Sequence, residues 1–337
     1  MPRAGWLRKN SRCAAAALLV LLGAAACGRR LDLPQEPDAT GGPAGEVAYV
    51  KKYMWEGMPA LSDLVLTRGQ VLYGIDPGGS VRSWFSDTAT PRENTSRNLP
   101  PAAIVGSDTL RQAVQLCEGT GNTLWVAYAR PQLTLLQWNV GVVPPVPVDS
   151  ALVRSAGVEC GGIAADADSG FVYVADRASS TVAKFRPSRL GGRRVTTLCG
   201  TGDGDHFVRQ PHGIYAFGDS LLVADTGKAW LQVVSSSEPL AGRGQVTGPA
   251  EAPLQLRDPL DVWVDPTGFF YVADTGNGRV LKLRRNGLVK ENVTELDAEA
   301  AAHPNTIAAS DTRVWVVDPE RGRLTIYQLN TASEGLP

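Results

Sequence analysis

Three stretches of this chain repeat one another: VYVADRASS at residues 172–180, LLVADTGKA at 221–229 and FYVADTGNG at 270–278. Aligning on the residue that closes the apolar phrase adds three weaker copies, so that Asp76, Tyr128, Asp176, Asp225, Asp274 and Asp318 occupy equivalent positions. Their spacings are 52, 48, 49, 49 and 44 residues. A chain that writes one short phrase at so regular a period builds one small unit again and again, and each unit must bury its apolar faces against its neighbours.

The unit is made of strands. In the fifth copy DPLDVWVD alternates into a first strand, Asp265-Pro266-Thr267-Gly268 has the Pro and Gly placement of a tight turn, and FFYVAD is the second strand. TGNG turns the chain again, RVLKLRR is the third strand, and Asn286-Gly287 is a hairpin signal before an outer strand near LVKENV. The fourth copy follows the same order in HGIYAF, SLLVAD and AWLQVV, and no amphipathic helical stretch competes. A period of 40–50 residues in short β-rich segments is that of propeller blades. The expected fold is therefore all-β, a six-bladed β-propeller over residues 46–332 with a short tail at 333–337.

A ring of blades must close, because an open end leaves unpaired edge strands and a bare apolar face. After LTIYQLN in the sixth copy the chain has no room for a further strand, whereas EVAYVKKYMW at 46–55 precedes the first copy and has strand character. The amino-terminal strand is expected to pair with LTIYQLN and complete the last blade.

QPHGIYAFGDSLLVADTGKAWLQVV and RDPLDVWVDPTGFFYVADTGNGRVLKL resemble NHL repeats, whose blades have a P-x-G-I start, a Y-V-A-D second strand and a T-G-N-x-R turn. The resemblance is strongest in copies three to five. The sixth copy keeps the Pro, the apolar strands and the Asp but lacks T-G-N, and the first two keep little beyond the strand pattern.

A catalytic carboxylate would not recur at five of six equivalent positions. Asp76, Asp176, Asp225, Asp274 and Asp318 read instead as turn residues, accepting hydrogen bonds from backbone N–H groups of the turn that follows each. Gly227, Gly276 and Gly278 are expected to supply positive φ there.

Function grafted on such a scaffold is expected where the first strands begin around the central channel. The P-x-G-I equivalents there are Asp63, Gln115, Gly162, Gly213, Asp261 and Thr306, with His212 and Asn305 one position earlier. Asp63, Gln115, His212, Asp261 and Asn305 are the candidate channel-mouth binding residues. Carboxylate and amide oxygens converging on an axis are the chemistry of a calcium site, although a channel mouth is polar wherever water enters it. The NHL resemblance also implies a comparison with amidating lyases, six-bladed propellers that use several histidines around zinc. Of His206, His212 and His303 only His212 falls on the P-x-G-I motif, so three converging imidazoles are not expected. Lactonases resembling regucalcin use a Glu, Asn and Asp calcium set that cannot be placed here residue by residue. No cofactor is expected, with calcium or zinc as the alternatives.

Arg3, Arg8, Lys9 and Arg12 precede the apolar run CAAAALLVLLGAAAC, the charged and then apolar order of an export signal. The run is shorter than the ~20 residues that span hydrocarbon. Ala24, Ala25 and Ala26 before Cys27 resemble a bacterial lipoprotein signal, although Ala24 stands where leucine is usual. That resemblance implies a signal peptide over 1–26, lipidation at Cys27 and a membrane anchor on an otherwise soluble body. Residues 27–45, rich in Pro, Gly and charge, read as a flexible tether. Beyond them the chain holds Cys117, Cys160 and Cys199; Cys117 and Cys160 lie on first strands of adjacent copies, where either a disulfide or reduced thiols would fit an exported protein.

A formal net charge of −1 and a pI near 6.3 provide no basic field for nucleic acid. The expectation is an exported, lipid-anchored binding module of the bacterial cell envelope, facing the periplasm or held at the outer membrane. Its long interblade loops would take a protein, peptide or glycan partner, with the membrane touched through the lipid alone. The alternative is a metal-dependent lyase or lactonase working at the channel mouth.

Overall fold

The computed structural model describes residues 49–329 apart from 167, 203–206, 238–241, 248–254, 286–288, 295–296 and 298–302. Cys27, the tether, His206 and the Asn286-Gly287 hairpin signal lie outside the described residues.

Six sheets follow one another around the ring, antiparallel but for one strand pair in blade 3, and in blades 1, 4 and 5 the innermost strand comes first. Blade 4 shows the pattern: Pro211–Phe217, Ser220–Asp225, Trp230–Ser235 and Gly242–Thr247 pair in sequence. Blade 5 repeats it with Pro259–Val264, Phe270–Asp274, Arg279–Leu283 and Val289–Asn292. The second strand is the most buried element of blades 3, 4 and 5, where neighbouring sheets cover both of its faces. In blades 3 and 5 every residue of Val172–Asp176 and Phe270–Asp274 is buried. The repeated V-A-D phrase is thus the sequence of a strand with no solvent face, which is why it runs apolar without alternation.

The four-strand expectation for every copy needs correction. Blade 1 has three strands, Asp63–Leu66, Val71–Ile75 and Val81–Phe85, with one bridge from Trp84 to Glu93 where an outer strand would run. Blades 2 and 3 have five. In blade 3 the extra strand, Phe207–Val208, runs parallel to Arg193–Thr201.

The ring closes as the sequence predicts. Tyr49–Glu56 lies antiparallel to Arg323–Leu329 as the outermost strand of blade 6, from Tyr49 opposite Leu329 to Glu56 opposite Arg323. Six apolar layers fill the spaces between neighbouring blades, and one of them joins the two ends of the chain. There Trp55, Trp315, Leu324 and Ile326 of blade 6 pack with Leu64, Leu66, Leu72 and Trp84 of blade 1.

The glycines of the T-G-N turn divide into two roles. After the second strand the chain makes a short 3-10 turn, Thr226–Lys228 in blade 4 and Thr275–Asn277 in blade 5. Left-handed backbone falls on the residue after it, Gly278 at φ 62° and Ala229 at φ 56°. Gly227 and Gly276, contrary to expectation, are not in that region. They are glycine because the chain before the first strand crosses them closely: a Cβ on Gly276 would stand 2.5 Å from Arg257 Cγ and 2.8 Å from its carbonyl oxygen. Gly276→Ala is expected to lower stability by about 1–3 kcal/mol through overpacking, read as a drop in the thermal midpoint.

Candidate functional site

The repeated aspartates hold each blade's inner corner. Asp76 behaves as expected, accepting from Gly78 and Ser80 N–H at 2.9 Å in the following turn. Asp318 likewise accepts from Arg321 N–H at 3.2 Å. Asp225 and Asp274 instead reach back to the segment leading into the first strand. Asp225 Oδ1 accepts from Arg209 N–H at 2.8 Å and Asp274 Oδ1 from Arg257 N–H at 2.7 Å. The next turn answers, since Gly227 and Gly276 N–H donate to the Arg209 and Arg257 carbonyls at 2.9 and 2.8 Å. Asp176 does both, accepting from Glu159 N–H and from Ala178 N–H at 3.1 Å.

The P-x-G-I starts meet around the channel, and the chain there is kinked. Register shifts fall between Ala113 and Gln115, Cys160 and Gly162, Pro211 and Ile214, and Pro259 and Asp261. Such bulges re-aim side chains at a sheet edge. Asp63, Gln115, His212, Asp261 and Asn305 all line one cavity of about 440 Å³ at this end. The sequence therefore places its five candidates together.

What they do there is hold neighbouring blades. Asp63 Oδ2 of blade 1 accepts from Leu116 N–H of blade 2 at 2.6 Å. Asp261 Oδ2 of blade 5 accepts from Ile307 N–H of blade 6 at 2.9 Å, and the Thr306 hydroxyl lies 2.9 Å from the same oxygen. Thr306 Oγ1 also accepts from Leu64 N–H at 3.2 Å and lies 3.3 Å from Asp63 Oδ1, so one threonine links the carboxylates of blades 1 and 5. Asn305 Nδ2 donates to the Leu61 carbonyl at 3.2 Å. In blades 3 and 4 the equivalent positions are Gly162 and Gly213, where the next blade's backbone comes too close for a side chain: a Cβ on Gly213 would lie 2.7 Å from Asp261 Cα. The T-G turns add staples, because Thr226 and Thr275 hydroxyls donate to the Pro259 and Pro304 carbonyls of the following blades.

Blade 3 departs from this pattern. Arg177 replaces the turn threonine, forms an ion pair with Glu159 and reaches to 3.4 Å from His212 Nε2. Burial, reinforced by Arg177, pushes the His212 pKa down to about 4. The ring is neutral at physiological pH, and because a guanidinium can only donate, Nε2 is the acceptor. A cation at that nitrogen would face the guanidinium. Among the described residues no three His, Cys, Asp or Glu side chains converge as metal ligands. Sequence reasoning missed Arg177, although its departure from T-G in the third copy marked it.

Asp63 and Asp261 are raised above the usual carboxylate range chiefly by burial, Asp63 further by Asp261, and Asp261 stands at about 6. Asp225 is also pushed to about 6 by burial. A carboxyl whose folded pKa exceeds its unfolded value binds extra protons when folded, so its contribution is full below the unfolded pKa near 4 and is lost as pH rises through about 6. The thermal midpoint is accordingly expected to fall between about pH 5 and about pH 7. Asp225→Asn should flatten that fall, because an amide at this position does not titrate.

Cys117, Cys160 and Cys199 are free thiols. Burial pushes all three above their ordinary value, Cys199 to about 12, so none is a ready nucleophile.

Comparison with known proteins agrees with this architecture. Residues 256–283, the heart of blade 5, match the NHL repeat family. The chain is 28% identical over 187 residues to NHL repeat-containing protein 3 of Mus musculus, a match covering 50% of this chain and 52% of the mouse protein, so it spans about half that relative's length. Among solved structures, the WD40 propeller domain of Doa1 superposes with a TM-score of 0.54 at 10% identity, over 85% of this chain and 98% of that one. A chain of a nidogen/laminin complex gives 0.52 at 14% identity, over 74% and 84%. Virginiamycin B lyase from Staphylococcus aureus gives 0.50 at 11%, over 79% and 80%. At these identities the likeness is one of fold. The chain is an all-β propeller of six blades with an NHL repeat in the fifth.

Proposed function

We propose that the protein is a non-enzymatic binding module of a bacterial cell envelope, exported by its amino-terminal signal and anchored through a lipid on Cys27. The observation that carries the non-enzymatic reading is the engagement of the channel-mouth carboxylates. Asp63 and Asp261 are bonded to backbone N–H groups of the next blades, and His212 sits against a guanidinium, so the groups that would do chemistry hold the disc together. A rigid disc with long interblade segments suits recognition of a protein, peptide or glycan. The charged and apolar pattern before Cys27 supports export and anchoring.

Two measurements test this reading. Elemental analysis of the purified protein is expected to find neither zinc nor calcium in stoichiometric amount, and crosslinking in envelope preparations is expected to capture one discrete partner. A stoichiometric metal lost in Asp261→Ala would overturn the binding reading in favour of a metal-dependent lyase or lactonase. Mass spectrometry of the mature amino terminus is expected to find a diacylglyceryl group on Cys27, and an unmodified start there would remove the anchor.

A further inference from the structure

Beyond the polar belt the channel opens into a second cavity, of about 290 Å³, where the first strands end. Two residues along each first strand from the belt, side chains return to the same face. In the cavity wall these are Val65, Cys117, Ala164, Tyr215 and Trp263. The set is lopsided: blades 4 and 5 contribute two large aromatic rings, and the side chains opposite are small. The space exists because nothing across from the rings fills it.

The aromatic pair is built as a surface. The Tyr215 and Trp263 ring centroids lie 5.1 Å apart with planes at 53°. Buried tyrosine and tryptophan ordinarily find a partner for their polar atom. Here the Tyr215 hydroxyl, the Trp263 indole N–H and the Gln115 side chain make no hydrogen bond among the described residues, and all three residues line the cavity. Among the described residues the wall also carries the carboxylates of Asp63, Glu118, Asp166, Asp168 and Asp261 beside one cation, Arg68. Arg68 N–H donates to Glu118 Oε1 at 2.5 Å, and Arg68 Nε is 3.8 Å from Glu118 Oε2. Asp166 Oδ1 accepts from Asp168 and Ser169 N–H at 2.9 and 3.3 Å, and Asp168 is exposed at the rim.

We propose that this cavity binds one sugar ring, or a neutral polyol of similar size. The aromatic faces suit the C–H face of such a ring, while a phenol, an indole N–H and a primary amide provide donors and acceptors for its hydroxyls. An anionic ligand would face these carboxylates, which disfavours it, and a cationic probe tests whether they, and not the aromatic pair, select the ligand. The volume lies just below the range of about 300–1,000 Å³ for small-molecule pockets, which limits the ligand to a single ring. The inference goes beyond the envelope-partner reading and rests on it only in taking the ligand to leave unchanged.

The test is saturation-transfer NMR and calorimetry on the purified protein with glucose, galactose and N-acetylglucosamine, and with choline as a cationic probe. At least one sugar is expected to bind with a millimolar dissociation constant, and choline is not. Tyr215→Phe and Trp263→Phe keep an aromatic ring at each position and are each expected to weaken that binding roughly fivefold, the worth of one neutral hydrogen bond. Should either variant lower the thermal midpoint, Gln115→Leu reads the same loss. No transfer to any sugar, unchanged affinity in the variants, or preference for choline overturns the proposal. Partner capture through the interblade loops would be unchanged in all three variants, so a failure here is distinct from a failure of the envelope reading.

Discussion

Deleting Tyr49–Tyr53 is expected to abolish the cooperative fold or to lower the thermal midpoint by more than about 10 °C, the largest effect of any change considered. The strand these residues begin is the outer edge of blade 6, and its loss exposes Arg323–Leu329 as an unpaired edge. Tyr49, 1% exposed, also reaches into the neighbouring blade, where its hydroxyl lies 3.0 Å from Tyr271 Oη and 3.1 Å from Lys282 Nζ. Trp55→Ala is the milder version. Its indole is fully buried in the layer between blades 6 and 1 and donates to the Thr88 carbonyl at 2.8 Å. A cost of about 3–5 kcal/mol is expected for that truncation. Thermal unfolding followed by circular dichroism checks both, and a midpoint little moved by the deletion would mean that the ring is held elsewhere.

Asp265→Ala is expected to cost about 3–5 kcal/mol, because it removes a buried carboxylate that both caps its turn and lies beside a buried ammonium. The Asp265 side chain is inaccessible to solvent and caps its turn, accepting from Thr267 N–H at 2.9 Å and Phe269 N–H at 3.0 Å. Tyr271 Oη donates to its other oxygen at 3.0 Å, and Lys282 Nζ lies 3.9 Å from that oxygen and 4.4 Å over the Phe269 ring. Without the carboxylate, the ammonium keeps its desolvation and loses the attraction of this buried charge. Replacing Lys282 by methionine in the same chain is expected to recover part of the loss, since an apolar pair of similar volume suits such a site. A double variant no more stable than Asp265→Ala would show that the turn hydrogen bonds, and not the charge pair, carry the effect.

The candidate site was only half legible. The five channel-mouth residues could be collected from sequence because the P-x-G-I position recurs at a fixed place in each repeat, and that place lies on the innermost strand. Their partners could not, because Asp63 and Leu116, or Asp261 and Ile307, belong to different repeats and meet only when blades stand side by side. The same holds for Gly276, which reads as a turn glycine until the Arg257 backbone is seen crossing it. Tyr215 and Trp263 were within reach: each stands two residues beyond a belt position and so shares its face. What was not visible is that the residues opposite them leave a cavity.

The sequence by itself determined the repeating element, the number of blades and the strand that seals the ring. Those follow from local rules: strand patterning, turn residues and the need to cover an apolar face. Tertiary structure alone decided that the polar ring is largely a set of interblade bonds, that His212 is neutral, and where the channel stays open. Each of these depends on distances between blades and on the water excluded from between them, and neither quantity is written in the spacing of residues along one chain.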